Sequence, residues 1–150
     1  INSLSPHAFE LFIVDMLRNS KKYKRVSQSQ RTRDGGVDFR AYYVDDSGEK
    51  IRLIGEVKKW NKPVPESVID RLSAAISRER DLLRAGEISR GVIVATKGLS
   101  PVAMETARKN EIEIWDLNTI TRMVNEQQLG MKKFVINALD EHYWSEYDGI

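Results

Sequence analysis

The sequence predicts an α/β domain with a mixed β-sheet held between helices, in the order α-β-β-β-α-β-α-β-α. Three observations predict it: residues 6–19 carry apolar side chains at helical spacing, residues 37–58 alternate as a β-hairpin does, and residues 91–115 read as strand, helix, strand. The last pattern is a crossover that sets its two strands parallel, whereas a hairpin is antiparallel, so the sheet has to be mixed.

Each element has its own signal. Ser5 is a good N-cap and Pro6 suits the first helical position. Phe9, Phe12, Ile13, Met16 and Leu17 then form one stripe, which predicts a helix over 6–19. Tyr23 to Gln30 alternates loosely and is expected as a short strand. Arg33-Asp34-Gly35-Gly36 reads as a turn whose glycines free the backbone for positive φ or close approach of a ligand. Val37–Val44 and Lys50–Lys58 flank the turn Asp45-Asp46-Ser47-Gly48. A hairpin centred on Ser47 puts Val37, Phe39, Ala41 and Tyr43 with Val57, Gly55, Leu53 and Ile51 on an apolar face. It puts Asp38, Arg40, Tyr42 and Val44 with Glu56, Ile54, Arg52 and Lys50 on the other, so Asp38 stands across from Glu56.

After Pro63 and Pro65 a long helix is expected, with Val68, Ile69, Leu72, Ala75, Ile76, Leu82 and Leu83 inward and Gly86 ending it. Gly91 to Thr96 is an apolar run typical of a strand buried on both faces. Ser100 and Pro101 open a helix to about Lys109, Ile112 to Trp115 forms a strand, and Asn118 is expected to cap a helix to about Gln128. Lys132 to Tyr143 reads as a last amphipathic helix ahead of an acidic tail.

Composition narrows the function classes. A chain of 150 residues is expected to form a single domain, 1–150, burying roughly 68–70% of its unfolded surface without a disulfide or metal staple. It has no run near the ~20 apolar residues of a membrane span, so a soluble protein with no membrane partner is expected. With no cysteine and only two histidines, thiol catalysis, disulfide scaffolds and Cys/His zinc sites are set aside, and a cytoplasmic setting is expected. The opening Ile1-Asn2-Ser3 has neither an initiator methionine nor a signal peptide, so the chain is expected to come from a longer protein with further domains. The formal net charge is only +2, but Arg18 to Arg40 holds eight basic residues against two acidic ones, while residues 137–150 hold four acids and no lysine or arginine. Such asymmetry suits a polyanionic partner approaching one side, and equally a solvated basic face.

Asp38, Glu56 and Lys58 form the constellation that carries chemistry. Two carboxylates facing each other across a hairpin repel unless a cation sits between them, and a hard divalent ion needs only one or two carboxylates beside water and phosphate oxygens. Lys58 shares a strand face with Glu56 because alternate residues point the same way. Carboxylates, cation and ammonium together orient a water and offset the charge of its attack on phosphorus. The same residues also fit a cross-strand salt-bridge cluster on a solvated face, where each pair is worth ~0–1 kcal/mol.

Asp34-Gly35-Gly36-Val37-Asp38 followed by Glu56-Val57-Lys58-Lys59-Trp60 resembles the metal-binding core of the PD-(D/E)XK restriction-endonuclease-like superfamily, most closely its Mrr-type nuclease domains. Gly91–Ser100, Ala103–Ala107 and Ile112–Asp116 resemble that family's later strands and helix, so the likeness spans about residues 4–124 and leaves 131–150 aside. The resemblance implies a restriction-endonuclease-like fold and a DNA endonuclease that hydrolyses phosphodiesters by attack of metal-activated water, in restriction or defence against foreign DNA. It further implies Mg²⁺ or Mn²⁺ bound by Asp38, Glu56 and the Val57 carbonyl, Lys58 on the water or phosphate, Glu10 of the first helix supporting the metal site, and a homodimer. Mrr-type sequences often carry glutamine where Glu56 stands. Arg31, Arg33, Lys59 and Lys62 flank the core and are candidate phosphate contacts. Trp60 is a candidate for base stacking or packing. Alternatives in view are a Holliday-junction resolvase or repair nuclease, a catalytically silent nucleic-acid-binding domain, and an interaction module built on Phe134, Val135, Leu139 and Tyr143.

Overall fold

The computed structural model describes residues 4–29 and 36–127. The elements are α1 (Pro6–Asn19), β1 (Lys24–Gln28), β2 (Phe39–Val44), β3 (Lys50–Lys58), α2 (Glu66–Arg78), β4 (Glu87–Ala95), α3 (Pro101–Lys109), β5 (Ile112–Trp115) and α4 (Leu117–Glu126), with a 3₁₀ turn at Arg80–Leu82. This is the order expected from the sequence. Arg31, Arg33, the turn before Gly36 and the helix expected over 132–143 lie outside the described residues.

The strands form one sheet in the order β1-β2-β3-β4-β5, antiparallel from β1 to β3 and parallel from β3 to β5. The hairpin register is the expected one, with Phe39 opposite Gly55, Ala41 opposite Leu53 and Tyr43 opposite Ile51. One core lies between the sheet and α1 with α4, built on Phe9, Phe12, Phe39, Leu53, Val92 and Trp115. The other lies between the sheet and α2 with α3, built on Ile54, Ile69, Leu72, Ile93 and Ala103. Covered on both faces, β3 is buried from Ile51 to Val57, each large aliphatic side chain gaining ~1.5–3 kcal/mol on burial. Ser5 and Ser100 cap α1 and α3 as expected, their Oγ atoms accepting from Ala8 N–H at 3.0 Å and Ala103 N–H at 3.2 Å. Among the described residues no helix is long and apolar enough to cross a membrane.

Four expectations are corrected. The helix α2 stops at Arg78 instead of running on toward Gly86, and Leu82, expected inward, is 62% exposed. Glu79 is the cause: its carboxylate is drawn to the sheet by Arg40 at 2.7 and 2.8 Å and by Arg52 at 2.8 Å. Its N–H is shared between the Ala75 and Ile76 carbonyls as the last turn tightens. Next, β4 starts at Glu87, four residues before the apolar run, because polar residues suffice where it pairs with the outer end of β3. Third, α4 is capped by Asp116, whose Oδ1 accepts from Thr119 N–H at 2.8 Å, and not by Asn118. Finally, Val37 joins the α2 core and not the face of Phe39, because the ladder loses its regular pattern at Asp38.

Gly55 lets the Phe39 ring lie across β3: a Cβ there would meet ring carbons at 2.1–2.6 Å. Gly55→Ala is therefore expected to destabilise the protein by about 3 kcal/mol in urea unfolding. Gly48→Ala, in a turn with open space but φ of +84°, is expected to cost about 1 kcal/mol.

Candidate active site

The site forms where β3 ends. Asp38 lies just before β2 and is tied down through its backbone, donating to the Gly55 carbonyl and accepting from Ser29 N–H, both at 2.8 Å. Its Oδ2 accepts from Val57 N–H at 2.6 Å. A carboxylate thus takes a donor that a strand carbonyl meets in a regular ladder, and regular β2–β3 pairing begins only at Phe39. Burial pushes the Asp38 carboxyl up to about 7 from its usual 3.8. The Glu10 and Glu56 carboxylates add to the rise, against the Val57 N–H and the Lys58 ammonium.

Glu56 has no solvent exposure. Its Oε1 takes Arg71 Nη2 at 2.8 Å and Lys58 Nζ at 3.2 Å, while its buried Oε2 has no hydrogen-bond partner among the described residues. Gly36 closes over this group with φ of +95°, and a Cβ there would stand 2.9 Å from Arg71 Nε and 3.0 Å from Glu56 Oε1. Only glycine accepts both that backbone conformation and that proximity.

The other expected residues fall around this centre. Glu10 projects from α1, accepts from Gln28 Nε2 at 3.0 Å, and acts on Asp38 through its charge. Val57 supplies the N–H to Asp38 and packs its side chain in the α1 core. Lys58 Nζ also lies 5.3 Å from the Trp60 ring centre, and Lys62 Nζ 5.8 Å from it, so Trp60 carries an ammonium from each. Lys59 is half-buried just past the strand end. Arg31 and Arg33 lie outside the described residues.

Sequence reasoning missed Arg71. It sits at the margin of the α2 apolar stripe with a half-exposed side chain, the pattern of an ordinary surface arginine. Its partner is a strand residue that only the fold brings near, so no local signal marks it.

The donor set fits a hard divalent cation. Among the described residues no three acidic or histidine side chains are arranged to enclose a metal ion unaided. Two carboxylates suffice when water and phosphate oxygens complete the shell. A buried Glu56 oxygen with no partner among the described residues, and an Asp38 carboxyl that burial and then the neighbouring acids push up, are each features that a cation would relieve.

Comparisons with known proteins bear on the fold and the family. Three similar solved structures are a repair endonuclease from Pyrococcus abyssi (21% identity, TM-score 0.56), the MspJI restriction endonuclease in complex with a 27-mer oligonucleotide (22%, 0.58) and the DNA modification-dependent restriction endonuclease AspBHI (17%, 0.55). The matches cover 75%, 96% and 80% of this chain but 46%, 36% and 31% of those chains, so this chain spans less than half the length of each. At such identities the likeness speaks for the fold. No curated protein matches the sequence. The family model Mrr_cat, described as restriction endonuclease, matches residues 1–124, and on that match the chain belongs to the Mrr_cat restriction endonuclease family.

Proposed function

We propose that this chain is a nuclease domain that hydrolyses DNA phosphodiester bonds with Mg²⁺ or Mn²⁺ held by Asp38 and Glu56. The observation that carries the reading is a buried Glu56 held by Lys58, whose charge acts on the neighbouring Asp38 and whose Oε2 has no partner among the described residues, in a member of a restriction endonuclease family. Arg71 and Lys58 both occupy Oε1 and so keep Oε2 for the cation. The Val57 carbonyl is the third proposed ligand. A bound divalent cation supplies Lewis acidity, lowering the pKa of water and offsetting charge on the phosphate.

The chain's own residues do the positioning. Val57 N–H and the Glu10 charge keep the Asp38 carboxylate aimed and electron-rich. The Lys58 ammonium, 3.2 Å from Glu56, is assigned to orient the attacking water and stabilise the charge gained at phosphorus. Lys62 and Lys59, with Arg31 and Arg33, are proposed to hold flanking phosphates. Each such contact steepens the salt dependence of binding. Target recognition is assigned to further domains, and duplex cleavage to a homodimer, since one site cuts one strand. Restriction of foreign DNA in the cytoplasm is the proposed setting.

Supercoiled plasmid incubated with the protein is expected to be nicked or linearised in Mg²⁺ or Mn²⁺ and left intact in chelator. Asp38→Ala and Lys58→Ala are each expected to slow cleavage by about 100-fold or more. Undiminished cutting by Asp38→Ala would overturn the assignment.

The Asp38 carboxyl also sets a pH dependence. Its pKa is raised from 3.8 to about 7, so between these values the folded chain binds more protons than the unfolded one, and stability without metal falls as pH rises through that window. Asp38→Asn is expected to flatten this slope and raise the melting temperature at pH 8 in chelator, while abolishing the stabilisation that Mg²⁺ gives the unsubstituted protein. At limiting Mg²⁺, cleavage is expected to rise with pH through about 7, because the cation has to displace that proton.

A further inference from the structure

A cavity of about 500 Å³ opens at the end of the sheet away from the proposed active site, where β2 ends and β3 and β4 begin. From Lys50 at this cavity to Lys58 at the active site, β3 spans roughly 26 Å at the usual strand rise. Five cations line it: Lys22, Lys24, Arg25, Lys50 and Arg84. Glu87 is the one acid in the lining. It is already engaged, with Arg25 Nη2 at 3.8 Å and Arg84 N–H donating to its Oε1 at 2.7 Å. Lys24, Lys50 and Arg84 are exposed, and among the described residues none has a carboxylate partner for its side chain.

The backbone beside this cavity is irregular. The β1–β2 ladder is broken by a bulge between Lys24 and Ser27, and Arg25 within it has φ of +49°. Positive φ at a non-glycine residue is unfavourable and persists where surrounding structure enforces it, and bulges re-aim side chains. Here the bulge lays the Arg25 guanidinium on the Tyr42 ring, 3.9 Å from its centre. The Arg25 side chain remains 53% exposed, so it offers a flat cationic plane beside an apolar wall of Val44, Ile51 and Ala85. Guanidinium planes of this kind receive nucleobases by stacking, and free ammonium groups next to them receive phosphate. The volume lies in the range of small-ligand sites.

We propose that this cavity is a second ligand site, which takes a nucleoside phosphate by stacking its base on the Arg25–Tyr42 layer and pairing its phosphate with Lys24, Lys50 and Arg84. The ligand is either a free nucleotide or one unit of a nucleic-acid strand, and both present the same chemistry to these residues. The site uses none of the residues assigned to cleavage, so its occupancy is independent of them.

Calorimetric titration in chelator at low salt tests it, with ADP, adenosine, pyrophosphate and an eight-nucleotide deoxyadenosine strand as probes. ADP is expected to bind at least 10-fold more tightly than adenosine or pyrophosphate. Lys24→Glu with Lys50→Glu, both exposed, is expected to weaken ADP by 10-fold or more. Arg25→Lys, which keeps the charge and removes the plane, is expected to weaken ADP and leave pyrophosphate unchanged, while Lys62→Glu leaves ADP unchanged. A strand that outcompetes ADP with the same losses identifies nucleic acid as the source, and a strand no tighter than ADP identifies the free nucleotide. Pyrophosphate binding as tightly as ADP, or ADP binding unaltered in the charge-reversed protein, overturns the proposal.

Discussion

The Glu56 carboxylate, fully enclosed between sheet and helix, is the constraint on which the rest of the molecule turns. A buried ionised carboxylate without partners costs several kcal/mol, and two cations on Oε1 offset that cost. Meeting the requirement fixes neighbours on three separate segments. The helix α2 has to present Arg71, the strand itself has to carry Lys58 two residues on, and the chain entering β2 has to pass so close that only Gly36 fits. Oε2 is left without a partner among the described residues, and the proposed function assigns it to the cation.

The helix that delivers Arg71 is held at its far end by a second enclosed ion cluster. Glu79, at the C-cap of α2, is clamped by Arg40 from β2 and Arg52 from β3. Such buried pairs add little net stability compared with apolar packing, yet losing one partner costs about 3–5 kcal/mol, because the other charges stay buried. Their effect is therefore on geometry. With Arg71 on Glu56 and Glu79 on two strands, α2 has one position along the sheet, and the apolar contacts of Ile69 and Leu72 fill in around it. The same clamp ends the helix early and sends the chain into the turn that leads to β4.

Local signals made most of this legible. The bounds of α1, β3, α3 and β5 and the pairing of β2 with β3 follow from periodicity, caps and one turn, because those elements bury the faces their patterns advertise. Alternation along β3 sets Lys58 beside Glu56, whereas Asp38 comes to this strand end through its bond to Val57 N–H and not through the regular register. What escaped was decided by contacts distant in sequence. Leu82 and Leu83 continue the α2 stripe, so periodicity cannot show that Glu79 has been pulled away by arginines 27 and 39 residues earlier. Val37 keeps the alternation of β2 on paper, but Asp38 spends its side chain on a main-chain donor and breaks the face assignment. Asp116 and Asn118 are both good caps, and the choice between them rests on where β5 releases the chain.

Charge bookkeeping at the site gives an order of events. Glu10, Asp38 and Glu56 set three acids against Lys58 and Arg71, so the centre is at best neutral when Asp38 keeps its proton and negative when it loses it. A phosphodiester meets no net attraction there, whatever the lysines around Trp60 contribute at longer range. Adding a divalent cation to the ionised centre takes its balance from −1 to +1, which turns repulsion of the phosphate into attraction. On the proposed function, the cation and the DNA are therefore coupled ligands: each strengthens the other, as linkage requires. Burial, with the Glu10 and Glu56 charges added, holds the Asp38 carboxyl at about 7, so on the proposed function the cation competes with a proton for that group.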